Sequence, residues 1–322
     1  MQDLAAYTHA LEKEIKHIDF PQDPSNLYDP LRYFMALGGK RMRPILTLLG
    51  TELFGNSKES AIHAAVAIEV FHNFSLIHDD IMDEAPLRRN KETVHTKWNR
   101  NIAILSGDVL LVKAYQLLAK QKNEHLPALL QLFNQTAIEV CEGQQMDMDF
   151  ETRSDVSIDD YVEMIRLKTS VLLGCALEMG AIIANASESN RRHIYDFGQH
   201  IGIAFQIQDD ILDLYADPEK FGKQVGGDVI ANKKTLLNLK AFELADTEQK
   251  EILHQLSGTT DLNFKVEKTR ELYDQLGART ACEKIMQAHY DLAMTALNEL
   301  EVDATAKEPL IGLADFLMMR EV

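Results

Sequence analysis

The stretch AAVAIEVF, residues 64–71, carries one charged side chain in eight and has no polar side to turn to water. A helix that is apolar nearly all round has to be enclosed by other elements, so this segment places a buried helix at the centre of a bundle. The same helix then runs into SLIHDDIMDEAPLRRN (75–90), where Asp79, Asp80 and Asp83 are followed by Arg88 and Arg89. Elsewhere the pattern is also helical. Leu4, Tyr7, Leu11, Ile15 and Ile18 follow a helical period until Pro21 and Pro24 break it, and further helices are expected at about 60–84, 103–121, 126–148, 158–185, 190–216, 233–256, 266–303 with a break, and 307–320. Alternating runs bounded by turn residues are missing and β-branched residues do not cluster, so no strand is predicted and the expected fold is all-α. With 322 residues and no Pro/Gly/Ser-rich divider, one domain spanning 1–322 is expected.

A net charge of −17 argues against a nucleic-acid surface, which needs a basic excess to hold phosphate backbones. Cys141, Cys175 and Cys282 are far apart and odd in number, which suits reduced, buried thiols in a cytoplasmic protein. The N-terminal segment lacks the apolar core of a signal peptide, and no later run is expected to reach membrane-spanning length, so no stable membrane insertion is expected. In so acidic a chain the basic islands stand out: GGKRMRP (38–44), RRNK (88–91), and Lys168, Lys223, Lys233 and Lys234 are candidate anion sites.

Asp79 and Asp83 are four residues apart and project from one helix face, while Asp80 points about 100° away. A second acidic stripe, Gln206, Asp209, Asp210 and Asp213, lies at i, i+3, i+4 and i+7 on an equally apolar helix. Carboxylates beside a core are costly unless paired or bound to metal. No Cys/His set has zinc spacing, and carboxylate oxygens suit magnesium, which binds through one or two of them together with substrate phosphates. Residual phosphate charge then calls for arginine or lysine, and Arg88 and Arg89 lie just past the first cluster. Two acidic clusters sharing metals would grip one diphosphate between them.

Seven segments occur in order: GGKRMRP, DDIMDEAPLRR (79–89), SGDVLL (106–111), GQQMDM (143–148), MIRLKTSVLLG (164–174), FQIQDDILD (205–213) and FGKQVGGDVIANKKT (221–235). Over residues 38–235 the set resembles the trans-prenyltransferases, the polyprenyl diphosphate synthases of isoprenoid biosynthesis, and the tail FLMMREV (316–322) fits that family's ending. The resemblance implies an isoprenoid synthase-type helical bundle around a deep central cavity, a homodimer, and isopentenyl diphosphate and an allylic prenyl diphosphate as substrates. It implies three Mg2+ ions in each active site. Asp79 and Asp83, supported by Asp80, hold two of them on the allylic diphosphate, and the second cluster, led by Asp209, holds the third. Arg88, Lys168, Lys223 and Lys233 would neutralise that diphosphate, and Lys40, Arg43, His72 and Arg89 would hold isopentenyl diphosphate. Arg41, between two of these positions, is expected at the surface or an interface. The oxygens of Thr169 and Gln206 would point dipoles at the allyl cation. Two positions depart from the family: Gly227 stands where lysine is frequent, and Asn232 replaces the glycine before the lysine, leaving either Lys233 or Lys234 to meet phosphate.

Product length is expected to depend on residues upstream of Asp79. Phe74, five positions earlier, is the expected floor of a cavity sized for geranylgeranyl diphosphate, or farnesyl diphosphate as the shorter alternative. Phe71 lies eight positions earlier, as floor or core. A class I terpene cyclase would not need GGKRMRP for a second diphosphate. A His-Asp phosphohydrolase would need histidines beyond the HDD at 78–80. A non-catalytic partner subunit would be expected to have lost aspartates that are all present here.

Overall fold

The computed structural model describes residues 4–216 and 225–318; Lys223 and the end of the FLMMREV tail lie outside the described residues. The chain divides into two compact units: Met1–Gln135 with Cys175–Tyr195 and Leu300–Pro309, and Thr136–Gly174 with Asp196–Glu299 and Leu310–Val322.

In the first unit, α1 (Leu4–Lys16), α2 (Ser25–Ala36), α3 (Met42–Leu53), α4 (Ile62–Met82), α5 (Val94–Lys97) and α6 (Arg100–Leu118) follow one another, with the start of α7 (Leu126–Thr152). Part of α9 (Val171–Ile183) and the start of α10 (Glu188–Tyr215) complete it. Helix α4 packs against α1, α3 and α6. All eight residues from Ala64 to Phe71 are buried, as an all-round apolar helix requires. Each large aliphatic side chain enclosed this way contributes roughly 1.5–3 kcal/mol. Backbones meet closely where glycines allow it: a Cβ on Gly180 would lie 2.3 Å from the Thr47 carbonyl oxygen, so α9 and α3 touch main chain to main chain.

The second unit contains the rest of α7, α8 (Ile158–Ile165), a π-helical turn (Arg166–Ser170), and most of α10. It continues with α11 (Gly227–Ile230), α12 (Leu236–Leu244), α13 (Thr247–Ser257), α14 (Leu262–Leu276), α15 (Ala278–Asn298) and part of α16 (Ala304–Met318). Ile203, Ile207, Ile211 and Leu214, one apolar stripe of α10, pack into its core with Leu236, Tyr273 and Cys282.

The fold is all-α as expected, and several local features differ from the sequence pattern. Helices α2 and α3 had no predicted counterpart. Pro30 lies within α2, where proline normally ends a helix, and the buried Pro30, Leu31, Phe34 and Met35 face offsets the lost hydrogen bond. Two strands exist where none was predicted: β1 (Leu87–Arg88) and β2 (Lys91–Glu92) pair antiparallel. Arg89 and Asn90 join them with φ of 53° and 61°, the left-handed pair that a tight two-residue hairpin needs. Strands of two residues are too short to show alternation. Two helices, Lys58–Met82 and Arg100–Leu118, do have the length and hydropathy to cross a membrane, against expectation. For the first, 61% of the apolar window is buried inside the fold, so its hydropathy is that of a core helix. Cys175 and Cys282 are buried as expected, whereas Cys141 is exposed.

Candidate active site

In the first unit the acidic cluster forms the end of the core helix. Asp83 closes α4, its N–H donating to the Asp79 carbonyl at 2.9 Å, and Glu84 turns the chain with a φ of 51°. Asp80 faces inward and is 1% exposed. Its Oδ1 accepts from Arg88 Nε and Nη2, both at 2.7 Å, and Arg88 Nη2 also lies 3.5 Å from Asp79 Oδ2. Burial raises the Asp80 carboxyl although Arg88 opposes the shift, and Asp80 Oδ2 is buried without a hydrogen-bond partner. Arg88 thus ties the hairpin to the aspartates as well as supplying charge beside them.

A separate basic pocket forms around the loop before α3. Gly38 and Gly39 have φ of 77° and 148°, and Lys40 follows directly. The Arg89 guanidinium lies against Gly39, where a Cβ would come within 2.9 Å of Nη2, so a side chain at 39 would displace it. Arg43 Nη1 is 3.2 Å from His72 Nε2. Burial, reinforced by Arg43, Arg89, Arg88 and Arg41, presses His72 well below its ordinary value. The imidazole is therefore neutral and accepts from Arg43 through Nε2. Burial also lowers Arg43 and Arg89, with Glu69 partly opposing it, and Arg43 Nε is buried without a hydrogen-bond partner. Two guanidinium groups beside a neutral imidazole make this a candidate anion site.

Arg41 corrects the sequence expectation. It is 3% exposed, not a surface residue, and ion-pairs with Glu69 and, at 2.8 Å, with Glu12. Its own φ of 52° places it at the N-cap of α3, so this buried pair anchors the turn that presents Lys40 and Arg43.

In the second unit the π-helical turn carries Lys168 and Thr169. A Cβ on Gly143 would lie 2.3 Å from the Lys168 nitrogen, and one on Gly202 would lie 2.8 Å from Ser170 Cβ, so α7 and α10 both press against this turn. The wide turn redirects side chains, as π-bulges at functional sites often do. Lys168 Nζ reaches Asp147 Oδ2 at 2.5 Å, and Thr169 Oγ1 donates to Gln206 Oε1 at 3.3 Å. Gln206 Nε2 donates in turn to Asp210 Oδ1 at 3.3 Å, and the Tyr161 hydroxyl donates to Asp210 Oδ2. Burial pushes Asp210 up to about 7, with Asp228 and Asp209 adding to the shift. Burial and Asp228 push Asp213 up to about 6, and Asp213 Oδ2 accepts the Asp228 N–H at 3.0 Å. Both shifts come from burial among like charges, so a cation joining the cluster would stabilise the ionised carboxylates.

The two adjacent lysines have different surroundings. Lys233 Nζ lies 3.6 Å from Asp228, beside the acidic cluster, while Lys234 Nζ donates to the backbone carbonyls of Phe150 and Glu151. Asn232 has a φ of 56°, which explains why glycine is usual there and why asparagine, tolerant of this conformation, can stand in.

Asp147, Asp228 and Tyr161 belong to this cluster and were not singled out from sequence. The first two lie inside quoted segments, GQQMDM and VGGD, which is the signal that could have found them. Among the described residues no three Asp, Glu, His or Cys side chains converge tightly enough to enclose a metal ion. An all-oxygen carboxylate set that leaves positions for substrate oxygens and water still fits magnesium. Phe71 is 1% exposed and contacts Phe74 and Phe133 at centroid distances of 5.5 and 5.1 Å, a core position. Phe74 is half-buried, its ring 4.8 Å from His78.

Residues 24–276 match the polyprenyl synthetase family. The chain is 37% identical to the short chain isoprenyl diphosphate synthase of Methanothermobacter thermautotrophicus, over 100% of this chain and 98% of that protein. Among solved structures it is similar to a geranylgeranyl pyrophosphate synthase, with a TM-score of 0.94 and 46% identity over the whole of both chains. It is also similar to the geranylgeranyl pyrophosphate synthetase of Pyrococcus horikoshii, with a TM-score of 0.92 and 38% identity over 98% of this chain and 96% of that one.

Proposed function

Since the chain belongs to the polyprenyl synthetase family, we propose that it is a short-chain trans-prenyltransferase joining isopentenyl diphosphate to dimethylallyl, geranyl or farnesyl diphosphate, with geranylgeranyl diphosphate as its end product. The observation that supports this reading is the presence of two unlike groups of charged side chains. One is the set of carboxylates on helix ends, assigned here to a metal-bound diphosphate, and the other is the Arg43–His72–Arg89 group, assigned to a diphosphate without metal. A cyclase, which has one diphosphate to bind, needs only the first.

In this assignment Asp79, Asp83 and Asp209 are the magnesium ligands, three ions in all, with Asp80, Asp210 and Asp213 orienting the carboxylates around them. Magnesium supplies charge that stabilises the departing diphosphate. Arg88, Lys168 and Lys233 neutralise the same leaving group, so their attraction grows as the allylic carbon–oxygen bond breaks and the barrier falls. Thr169 and Gln206, held by their mutual hydrogen bond, direct oxygen dipoles at the allyl cation. Lys40, Arg43, His72 and Arg89 hold isopentenyl diphosphate while its double bond attacks that cation. The new carbon–carbon bond forms, a proton is lost, and the departing diphosphate accepts it. The chain is assigned to one synthase domain because the family match runs across 24–276 and so through residues of both compact units. A cytoplasmic homodimer is part of the same reading, and the exposed Ile104, Leu105 and Val112 of α6 are the apolar residues assigned to its contact.

Incubating the pure protein with magnesium, isopentenyl diphosphate and each allylic starter, followed by product chromatography, tests the proposal. Prenyl diphosphates of geranylgeranyl length are expected. Cyclic hydrocarbons, or no product from the isolated chain, would favour the cyclase or the non-catalytic subunit. Lys40→Ala is expected to raise KM for isopentenyl diphosphate about tenfold, as loss of one charge-assisted phosphate contact would, with little change in the allylic KM. Equal effects on both substrates would contradict two separate anion sites.

A further inference from the structure

A cavity of about 840 Å3 lies wholly within the second unit, between the end of α7 and helices α12, α13 and α14. Five basic side chains line it, Arg153, Lys233, Lys234, Lys250 and Lys265, against the two carboxylates Glu151 and Glu243. Arg153 is paired with Asp155 at 3.0 Å and Asp160 at 3.2 Å, and Lys233 lies 3.6 Å from Asp228, so in this chain of net charge −17 the cationic character of the cavity rests on Lys234, Lys250 and Lys265. One side of the cavity is apolar, formed by Val156, Val229, Leu239, Phe242 and Leu253.

Lys265 shows that the positive charge is built in rather than left on a flexible surface. It is 3% exposed, and its ammonium donates to Asn232 Oδ1 at 2.7 Å, Ile230 O at 3.2 Å and Ser257 O at 3.3 Å. All three acceptors are neutral. The hydrogen bonds are satisfied, but among the described residues no carboxylate pairs with this ammonium, and a buried charge without a counterion is costly. Lys234 is likewise held by the carbonyls of Phe150 and Glu151. Two ammonium groups are therefore fixed by neutral oxygens in one cavity, an arrangement that an incoming anion would stabilise.

We propose that this cavity binds a diphosphate-bearing anion, the head group against the lysines and any prenyl tail along the apolar side. The inference rests on the proposed reaction, which generates two such anions: inorganic diphosphate as co-product and prenyl diphosphate as product. The cavity shares only Lys233 with the residues assigned to the substrates. Because Lys233 also lies 3.6 Å from Asp228, an occupant that draws on this ammonium reaches the acidic cluster directly.

The test is amide hydrogen exchange of the full chain with EDTA present, comparing inorganic diphosphate and geranylgeranyl diphosphate as added ligands. Slower exchange is expected in Leu236–Leu244 and Thr247–Ser257. Protection by inorganic diphosphate identifies recognition of the head group, and protection by the prenyl diphosphate alone identifies recognition of the amphiphile. Lys250 is exposed on α13 and outside the catalytic assignments, so Lys250→Glu is expected to keep the fold and ordinary turnover while weakening this protection about tenfold in ligand concentration. Protection in Met42–Leu53, next to the pocket assigned to isopentenyl diphosphate, should persist in that variant. No protection around the cavity, or protection that survives Lys250→Glu unchanged, overturns the proposal. Absence of product in the turnover assay would instead count against the proposed reaction, so the two failures are distinguishable.

Discussion

Asp79→Ala will abolish chain elongation while leaving the fold in place. The side chain lies on the last turn of α4, is 19% exposed and is not one of the apolar core residues, so its removal takes no hydrophobic contact from the core. The ion pair between Arg88 and the buried Asp80 remains to hold the hairpin. What is lost is a carboxylate assigned to a metal that stabilises developing charge on the leaving group, an effect worth several kcal/mol in the transition state, so turnover should fall by roughly a thousandfold or more. Single-turnover kinetics at saturating substrates would separate this loss from weaker binding, and circular dichroism melting would check the fold. Near-normal turnover in a correctly folded variant would remove the basis for the metal assignment.

Phe74→Ala is the second variant with a large expected effect, on what is made rather than how fast. Phe74 lies five residues before Asp79, roughly 7.5 Å back along the helix axis at 1.5 Å per residue. Its half-buried ring leans on Phe71 and His78, and truncating it would open space beside α4. Phe71 is pinned by Phe133 and stays as the next obstruction, three residues or roughly 4.5 Å further back. The expected result is a product distribution shifted upward by about one five-carbon unit, at a stability cost of about 2 kcal/mol because the ring is only partly buried. Chromatography of the products against prenyl standards reads it directly. The same distribution as the wild type would mean that the floor lies elsewhere.

Much of the first acidic cluster was legible in the sequence because a helix has a fixed geometry. Once 64–83 is a helix, a spacing of four places Asp79 and Asp83 on one face and turns Asp80 away. The structure adds what Asp80 turns toward: it is enclosed and bound by Arg88, which arrives on a hairpin of two-residue strands. Lys233 and Lys234 were interchangeable as neighbours in sequence and are separated by their surroundings, one beside Asp228 and the other on main-chain carbonyls. Asp147 and Asp228 were hidden for a related reason, since neither shares a helical stripe with Asp209 and each joins the cluster through packing. Helices α2 and α3 were missed because proline and glycine signal a break locally, whereas the apolar faces they bury, around Phe34 and Leu48, have their partners far along the chain.

By itself, then, the sequence determined what depends on local periodicity and residue chemistry: the helical class, the buried helix ending in acid, the oxygen-only donor set and the basic islands in an acidic chain. Only the tertiary structure decided which charges are spent on each other. Arg41 is the clearest case, a residue expected at the surface or an interface that instead satisfies Glu69 and Glu12 inside the first unit. The physical reason is that ion pairing and burial depend on distances of a few ångströms between residues tens of positions apart, and those distances exist only after the helices have packed.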